Sequence, residues 1–382
     1  MRPFTLVAVA FVVFVSCARS QSAWYERFSL RGYTQLRYVE RRALDVPTAW
    51  SSGGFSIPRG RLILSGFVSN DVFLYIQPDY AASNGTLLNV LQLRDAYFDV
   101  FLDSLHTYRL RVGQSKVPFG YENLQSSSNR LPMERAEALN SASFPGERDL
   151  GVFAMWAPQS ARAVYERLTR DGMKGSGDYG CISVGIYSGQ GINRPKLNRT
   201  PSWVARVTYP IVLGEMVVEP GFQAFTGRYS PQTSATVQAE SNALRDDCYA
   251  ATLALSPAPV GLLAEYCWGT APRFVPPTNG GGGYVRSGKI EGGFVTLYAL
   301  TRMLGYRVEP FVRWQTFHGG LKSQTDAPMT DLVQWEGGIE WHISQTLELT
   351  LEYMHSDRRS LTPIGSQQSR SEEVWLQLQV NY

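Results

Sequence analysis

The chain predicts an all-β fold: a transmembrane antiparallel β-barrel of about 16 strands. Three observations carry that expectation. Segments of about ten residues alternate apolar and polar side chains and are separated by turn residues. Their number is even, and short connections take turns with long ones. The last segment keeps an apolar face to a terminal aromatic: Val374, Leu376, Leu378, Val380 and Tyr382 share one side, while Glu373, Gln377, Gln379 and Asn381 share the other, with Trp375 as the exception. The C-terminus of a soluble protein frays and has no use for such a face. A strand that closes a barrel turns it to lipid.

Composition agrees with a barrel. Mean hydropathy is −0.18 and 44% of residues are hydrophobic, because only every second strand residue meets lipid. Arg2, the apolar run from Phe4 to Ser16 and the small residues of Ala18-Arg19-Ser20 read as a signal peptide over 1–20. The mature chain is then expected to start at Gln21, with residues 21–382 as the barrel domain. A lipidated Cys17 is the alternative, and Phe14 fits that motif poorly. No later run offers the ~18 apolar residues of a membrane helix. The expected location is the bacterial outer membrane, in contact with its lipid.

The strands follow in order at 27–39, 55–68, 72–79, 91–101, 107–115, 150–157, 179–188, 202–209, 216–226, 247–256, 260–269, 287–298, 306–317, 331–343, 346–356 and 372–382. In the first, Phe28, Leu30, Leu36 and Tyr38 share one face and Arg27, Ser29, Arg31, Gln35 and Arg37 the other. Connections after the second, fourth, eighth, tenth, twelfth and fourteenth strands are short, such as Ser69-Asn70-Asp71, and those after odd-numbered strands are longer. The stretch 158–178 breaks the rule, by a misplaced boundary or by an insertion. A soluble sandwich of this size would be unusually large, and a β-helix would carry a short repeat that this sequence lacks. Trp203, Tyr209, Trp268, Trp314, Trp335, Trp341 and Tyr353 fall on apolar faces, as interfacial girdles require.

Five of the 36 basic residues are Lys and the rest Arg. Arginine keeps its charge and grips oxyanions with a planar fork. Strand parity places Arg31, Arg37, Arg59, Arg61, Arg109 and Arg111 toward the lumen on early strands. The long third external loop, Lys116 to Asp149, adds Lys116, Arg130 and Arg135, together with Glu122 and Glu134, and its piece from Pro132 to Leu139 reads as a turn or two of helix. Late strands place Glu265, Glu291, Glu309, Glu336, Glu340, Glu348, Glu352 and Glu373 inward, with Arg307 and Arg313 among them. Facing walls of opposite sign predict a transverse field that favours polar solutes over apolar ones, and a modest preference for anions is expected where the third loop meets Arg59 and Arg61. Polar inner faces with few bulky apolar residues predict an open pore; a general, weakly selective channel and a plugged structural or adhesive barrel are the competing readings.

Four blocks resemble the phosphate-selective porin O/P family: Leu93-Arg94-Asp95-Ala96-Tyr97, Leu110-Arg111-Val112-Gly113-Gln114-Ser115-Lys116-Val117-Pro118-Phe119-Gly120, Glu134-Arg135, and Arg148-Asp149-Leu150-Gly151-Val152. The resemblance implies a trimeric outer-membrane porin with an inward third loop and an arginine-lined anion path. Asp95, Glu122 and Glu134 are expected at the constriction or its second wall. The family's Arg-Arg-x-Arg-Leu run appears here as Pro58-Arg59-Gly60-Arg61-Leu62, with Pro58 in place of the first arginine. Expected partners are small anions such as phosphate, and the barrel-assembly machinery through Tyr382. No nucleic acid, cofactor or metal is expected.

Enzyme signals are weak. His106, His318, His342 and His355 form no HExxH spacing, and His355-Ser356 alternate faces. The glycines 280–283 lack a strand-to-helix context. Cys181, Cys248 and Cys267 are an odd number at wide spacing, and buried free thiols are the expectation.

Overall fold

Alternation along the first strand decides its two faces. Tyr33, Gln35 and Arg37 are buried, while Leu30 and Leu36 on the alternate face are exposed, the arrangement of a strand whose polar side looks into a barrel and whose apolar side looks at lipid. The computed structural model describes residues 24–45, 52–84, 87–138, 148–257, 259–277 and 282–382. The signal peptide, Cys17, Gln21, Leu139 and the first two glycines of the 280–283 run lie outside the described residues.

Sixteen barrel strands are present: β1 Phe28–Ala43, β2 Ser52–Ser69, β3 Val72–Asn84, β4 Leu87–Phe101, β5 Tyr108–Lys116, β6 Arg148–Trp156, β7 Ile182–Tyr187, β8 Ser202–Thr208, β9 Met216–Tyr229, β10 Leu244–Leu255, β11 Val260–Val275, β12 Tyr284–Ala299, β13 Tyr306–Gly320, β14 Met329–His342, β15 Leu347–Thr362 and β16 Gly365–Asn381. Each pairs antiparallel with the next, and β1 pairs with β16 to close the sheet. Tyr382 completes the closure: its N–H donates to Gly32 O at 3.0 Å, and Gly32 N–H donates to Tyr382 O at 2.6 Å. Short extra ladders prolong β8 past Pro210 (Ile211–Leu213) and β12 past Leu300 (Thr301–Met303).

The strands run longer than alternation predicts at the external end. β15 and β16 stay paired from Ser356↔Ser371 to Thr362↔Gly365, where a loop was expected. Outward positions there are Asp357 and Arg359, so the apolar signal stops while the ladder continues into solvent. Below them Leu351, Tyr353, Val333 and Trp335 form the exposed apolar band. β2 bends at Pro58, where two of its residues, Ile57 and Pro58, oppose Leu36 of β1 between Gln35↔Arg59 and Arg37↔Ser56. A residue without an N–H is tolerated at such a bulge.

The overlong connection after β6 is an insertion. Residues 159–170 form helix α2 (Gln159–Arg170), which buries Ala161, Tyr165 and Leu168. Ala161 and Tyr165 pack with Ala157 and Cys181. The third loop carries helix α1 (Tyr121–Leu124). The helical piece expected from Pro132 instead begins as bends over 131–134.

The inner wall is less polar than the sequence suggests. Phe119 of the third loop packs with Phe153, Phe225, Cys248, Cys267 and Phe317 of the barrel wall. This apolar packing fills the side of the lumen lined by β6–β14. Parity alone could not show it, because bulky residues at scattered inward positions look sporadic until a loop gathers them. Cys181, Cys248 and Cys267 are free and buried.

Candidate functional site

With one side of the lumen packed, the other side holds the polar space. A cavity of about 290 Å³ lies against the inner faces of β1–β6. Arg31, Arg61, Arg111, Lys116 and Arg148 line it, with Asp95 and Asp178 as the carboxylates and Tyr75, Tyr97 and Tyr179 as the rings. An open mouth below shares Arg31, Tyr75 and Tyr97 with it and leads toward Glu26 and Arg27 at the periplasmic rim.

Each guanidinium is set by a carboxylate or hydroxyl across the ladder. Arg61 Nε donates to Asp79 Oδ2 at 2.9 Å, and its Nη1 donates to Tyr33 Oη at 2.7 Å and Ser127 Oγ at 2.8 Å. Arg111 Nε and Nη2 donate to the two oxygens of Asp99 at 2.8 and 2.9 Å. Arg148 Nε reaches both oxygens of Asp95 at 3.0 Å. Arg31 Nη1 donates to Ser65 Oγ at 3.3 Å. Lys116 Nζ donates to Leu124 O and Gln125 O at 2.8 and 2.7 Å, tying the root of the third loop to its own tip. Paired forks are held in position while their remaining N–H groups point elsewhere.

The third loop crosses the lumen and is pinned at several strands. Tyr121 N–H donates to Glu265 Oε2 at 2.8 Å on β11. Glu122 pairs with Arg313 at 2.8 Å on β13, and Met133 N–H donates to Glu352 Oε2 at 2.9 Å on β15. Glu134 lies between two guanidiniums: Arg37 at 2.9 Å and Arg59 at 2.5 Å. Burial opposes ionisation of Glu134, and the Arg59 and Arg37 charges outweigh it, holding its carboxyl well below the usual carboxylate range.

The expected site residues therefore divide. Arg31, Arg61, Arg111, Lys116 and Asp95 share the cavity. Arg37 and Arg59 clasp Glu134 at a different place. Arg109 turns to Asp178 at 3.1 Å. Arg130 bends back onto Met133 O at 2.8 Å, and Arg135 Nη2 donates to Asn123 O at 3.4 Å. Glu122 serves the far wall through Arg313.

The walls of opposite sign exist, but each is neutralised locally. Asp79, Asp95 and Asp99 sit among the early arginines, and Arg313 pairs with Glu336 at 2.5 Å on the acidic side. Glu291 is a correction: it is on the outer face, bonded to Lys289 at 2.6 Å and to Tyr266 Oη. The ladder register sets that parity, because inward Ile290 and Phe294 flank it. Trp375, the exception in the last strand, faces inward beneath the Arg37 guanidinium at 4.5 Å.

Sequence reasoning missed Arg148 as a lining residue and the partners Asp79 and Asp99. Asp95, Tyr97 and Asp99 alternate with Ala96, Phe98 and Val100, so the period of two could have found Asp99. It also missed Lys174, whose Nζ lies 2.6 Å from Glu340 and 3.3 Å from Glu309. Burial disfavours its ammonium, and Glu309 and Glu340 outweigh that cost and raise its pKa. Glu309, Glu340 and His342 converge as metal-binding groups can, and the Lys174 ammonium supplies the positive charge among them.

A family model described as phosphate-selective porin O and P matches residues 46–382. No curated protein matches the chain. Among solved structures, Salmonella typhi OmpF in complex with daunomycin aligns at TM-score 0.58 and 11% identity, over 93% of this chain and 97% of that one. The outer-membrane channel DcaP of Acinetobacter baumannii aligns at TM-score 0.55 and 12% identity, over 93% and 97%. A trimer form of OmpT, an outer-membrane protein of Vibrio cholerae, aligns at TM-score 0.50 and 9% identity, over 93% and 99%. At these identities the likeness is one of fold.

Proposed function

The chain belongs to the phosphate-selective porin O and P family, and on that premise we propose that this outer-membrane channel prefers small anions, phosphate among them, over cations. The observation that carries the reading is the cavity in which Arg31, Arg61, Arg111, Lys116 and Arg148 outnumber Asp95 and Asp178. An anion that sheds water there meets guanidinium N–H groups and tyrosine hydroxyls in sequence. Several moderate sites let it enter and leave, which conduction requires. Each arginine already has a carboxylate or hydroxyl partner, so none offers a deep trap. The path runs between the β1–β6 wall and the third loop, whose Glu134 is held by Arg37 and Arg59.

The trimer form of the OmpT fold relative and the family membership support a homotrimer. The backbone closure between Tyr382 and Gly32 supports Tyr382 as the end recognised during barrel assembly. Diffusion without catalysis is the reading the family supports.

The test is the reversal potential of the purified barrel in a planar bilayer under a KCl gradient. A potential on the chloride side is expected. A potential on the potassium side overturns the anion preference and leaves a general channel.

A further inference from the structure

The insertion after β6 leaves the barrel wall and crosses the lumen. After α2, Gly172 adopts φ +63 and Met173 N–H donates to Leu168 O at 2.8 Å, a left-handed helix end that turns the chain inward. Residues 173–179 then run as a strap. At one end, Asp178 meets Arg109 of β5 at 3.1 Å and Arg162 of α2 at 3.3 Å. At the other end, Lys174 meets Glu309 of β13 and Glu340 of β14, and Arg307 of β13 donates to Asp171 O at 2.7 Å and Gly172 O at 2.6 Å.

β5 and β13 are eight strands apart in a closed barrel of sixteen, so these anchors lie on opposite walls. Three residues lie between Lys174 and Asp178, four backbone steps that reach roughly 13–14 Å extended, and the long side chains of Lys174 and Arg109 cover the rest. All the strand anchors sit near the periplasmic ends: Arg109 follows the first residue of β5, and Arg307 the first of β13. The third loop rests on the strap from above, with Tyr121 Oη and Gln125 Nε2 both donating to Lys174 O.

Two further features set the strap apart from an ordinary turn. Lys174 holds φ +57, a left-handed backbone that a lysine adopts only where its surroundings impose it, and its side chain is almost fully buried. The strap also forms one wall of the cationic cavity, through Gly175, Ser176, Gly177, Asp178 and Tyr179. Asp178 and Tyr179 line that cavity together with Arg31 and Tyr75, which also line the mouth below.

We propose that residues 173–179 form a second constriction on the periplasmic side, in series with the third loop, with Lys174 fixing the strap to the acidic far wall and Asp178 and Tyr179 filtering solutes at the cavity exit. The proposal rests on channel function and stands whether or not the channel prefers phosphate. Asp178 puts a negative charge at the exit, so the inner constriction tempers the anion preference of the cavity above it.

Single-channel recordings of the full-length barrel in KCl test it with two variants and one probe. Lys174→Gly keeps the backbone conformation and removes the ammonium; conductance is expected to rise by about twofold as the strap loosens. Asp178→Asn is expected to move the reversal potential toward chloride. Ser176→Cys, treated with a bulky charged methanethiosulfonate, is expected to lose current, while the wild type with its buried cysteines does not respond. Wild-type conductance in Lys174→Gly, together with unblocked current in modified Ser176→Cys, overturns the proposal. A folding failure of Lys174→Gly leaves the Ser176→Cys block to decide. A wild-type barrel without anion preference, in which the modified cysteine still blocks, sinks the anion reading and keeps the strap.

Discussion

Arg111 and Asp99 face each other across β4 and β5 through two hydrogen bonds of 2.8 and 2.9 Å, and the Arg111 guanidinium lies over the Tyr97 ring with 3.9 Å to its centroid. The carboxylate and the ring fix the fork at the cavity wall. Asp99→Asn removes the countercharge of a buried cation. Breaking one side of such a pair destabilises the barrel by on the order of 2 kcal/mol, read as a lower urea midpoint in refolding. The same variant is expected to shift the reversal potential further toward chloride.

Arg61 couples the wall to the third loop, through Asp79 on β3 and Ser127 above it. Arg61→Gln removes one charge-assisted donor, worth roughly 1.5 kcal/mol or about tenfold in affinity. Phosphate should therefore weaken by about tenfold as a blocker of chloride current, and Arg61→Lys should retain part of the effect. An unchanged blocking constant in Arg61→Gln would remove Arg61 from the anion path.

Glu134 latches the third loop to β1 and β2. Its folded carboxyl titrates below the usual range, so its contribution is fully present above the unfolded value and is lost only as pH falls toward the depressed folded value. Acidification to about pH 4, the ordinary glutamate range, should leave the latch closed. Glu134→Gln should show at neutral pH the added current noise of an unlatched loop.

How much of this was legible follows from periodicity. Alternation of two residues placed the sixteen strands and the inward faces of Arg31, Arg61 and Arg111, because sheet parity is a local property. It ended β15 early because Asp357 and Arg359 face outward beyond the lipid. Glu291 was assigned to the wrong side for the same kind of reason: a two-residue pattern in a glycine-bearing strand fixes parity weakly. What the third loop and the strap touch was illegible. Glu134 finds Arg37, and Lys174 finds Glu340, across separations of 97 and 166 residues, and no local pattern encodes such a meeting.

Gly113, inside the Leu110–Gly120 block, shows what a motif can mean physically. It sits mid-strand at φ +128, and a Cβ there would lie 2.4 Å from Ala96 O and 2.8 Å from Tyr97 Cα. Both are backbone atoms of the paired strand and cannot move aside. Gly113→Val is expected to disrupt the β4–β5 pairing and sharply lower the yield of folded barrel, seen as loss of the compact, heat-modifiable band on electrophoresis. A normal yield would show that the strand relaxes around the side chain.

The central claim is that the cavity bounded by Arg31, Arg61, Arg111, Lys116 and Arg148 is where an oxyanion is recognised during passage. The most direct measurement is the chloride current of the wild-type channel as inorganic phosphate is titrated. Saturable block of the chloride current, at a blocking constant that weakens in Arg61→Gln and Arg111→Gln, is the predicted result. A chloride current that phosphate leaves untouched, in wild type and variants alike, would contradict the claim and describe a wide polar channel without an oxyanion site.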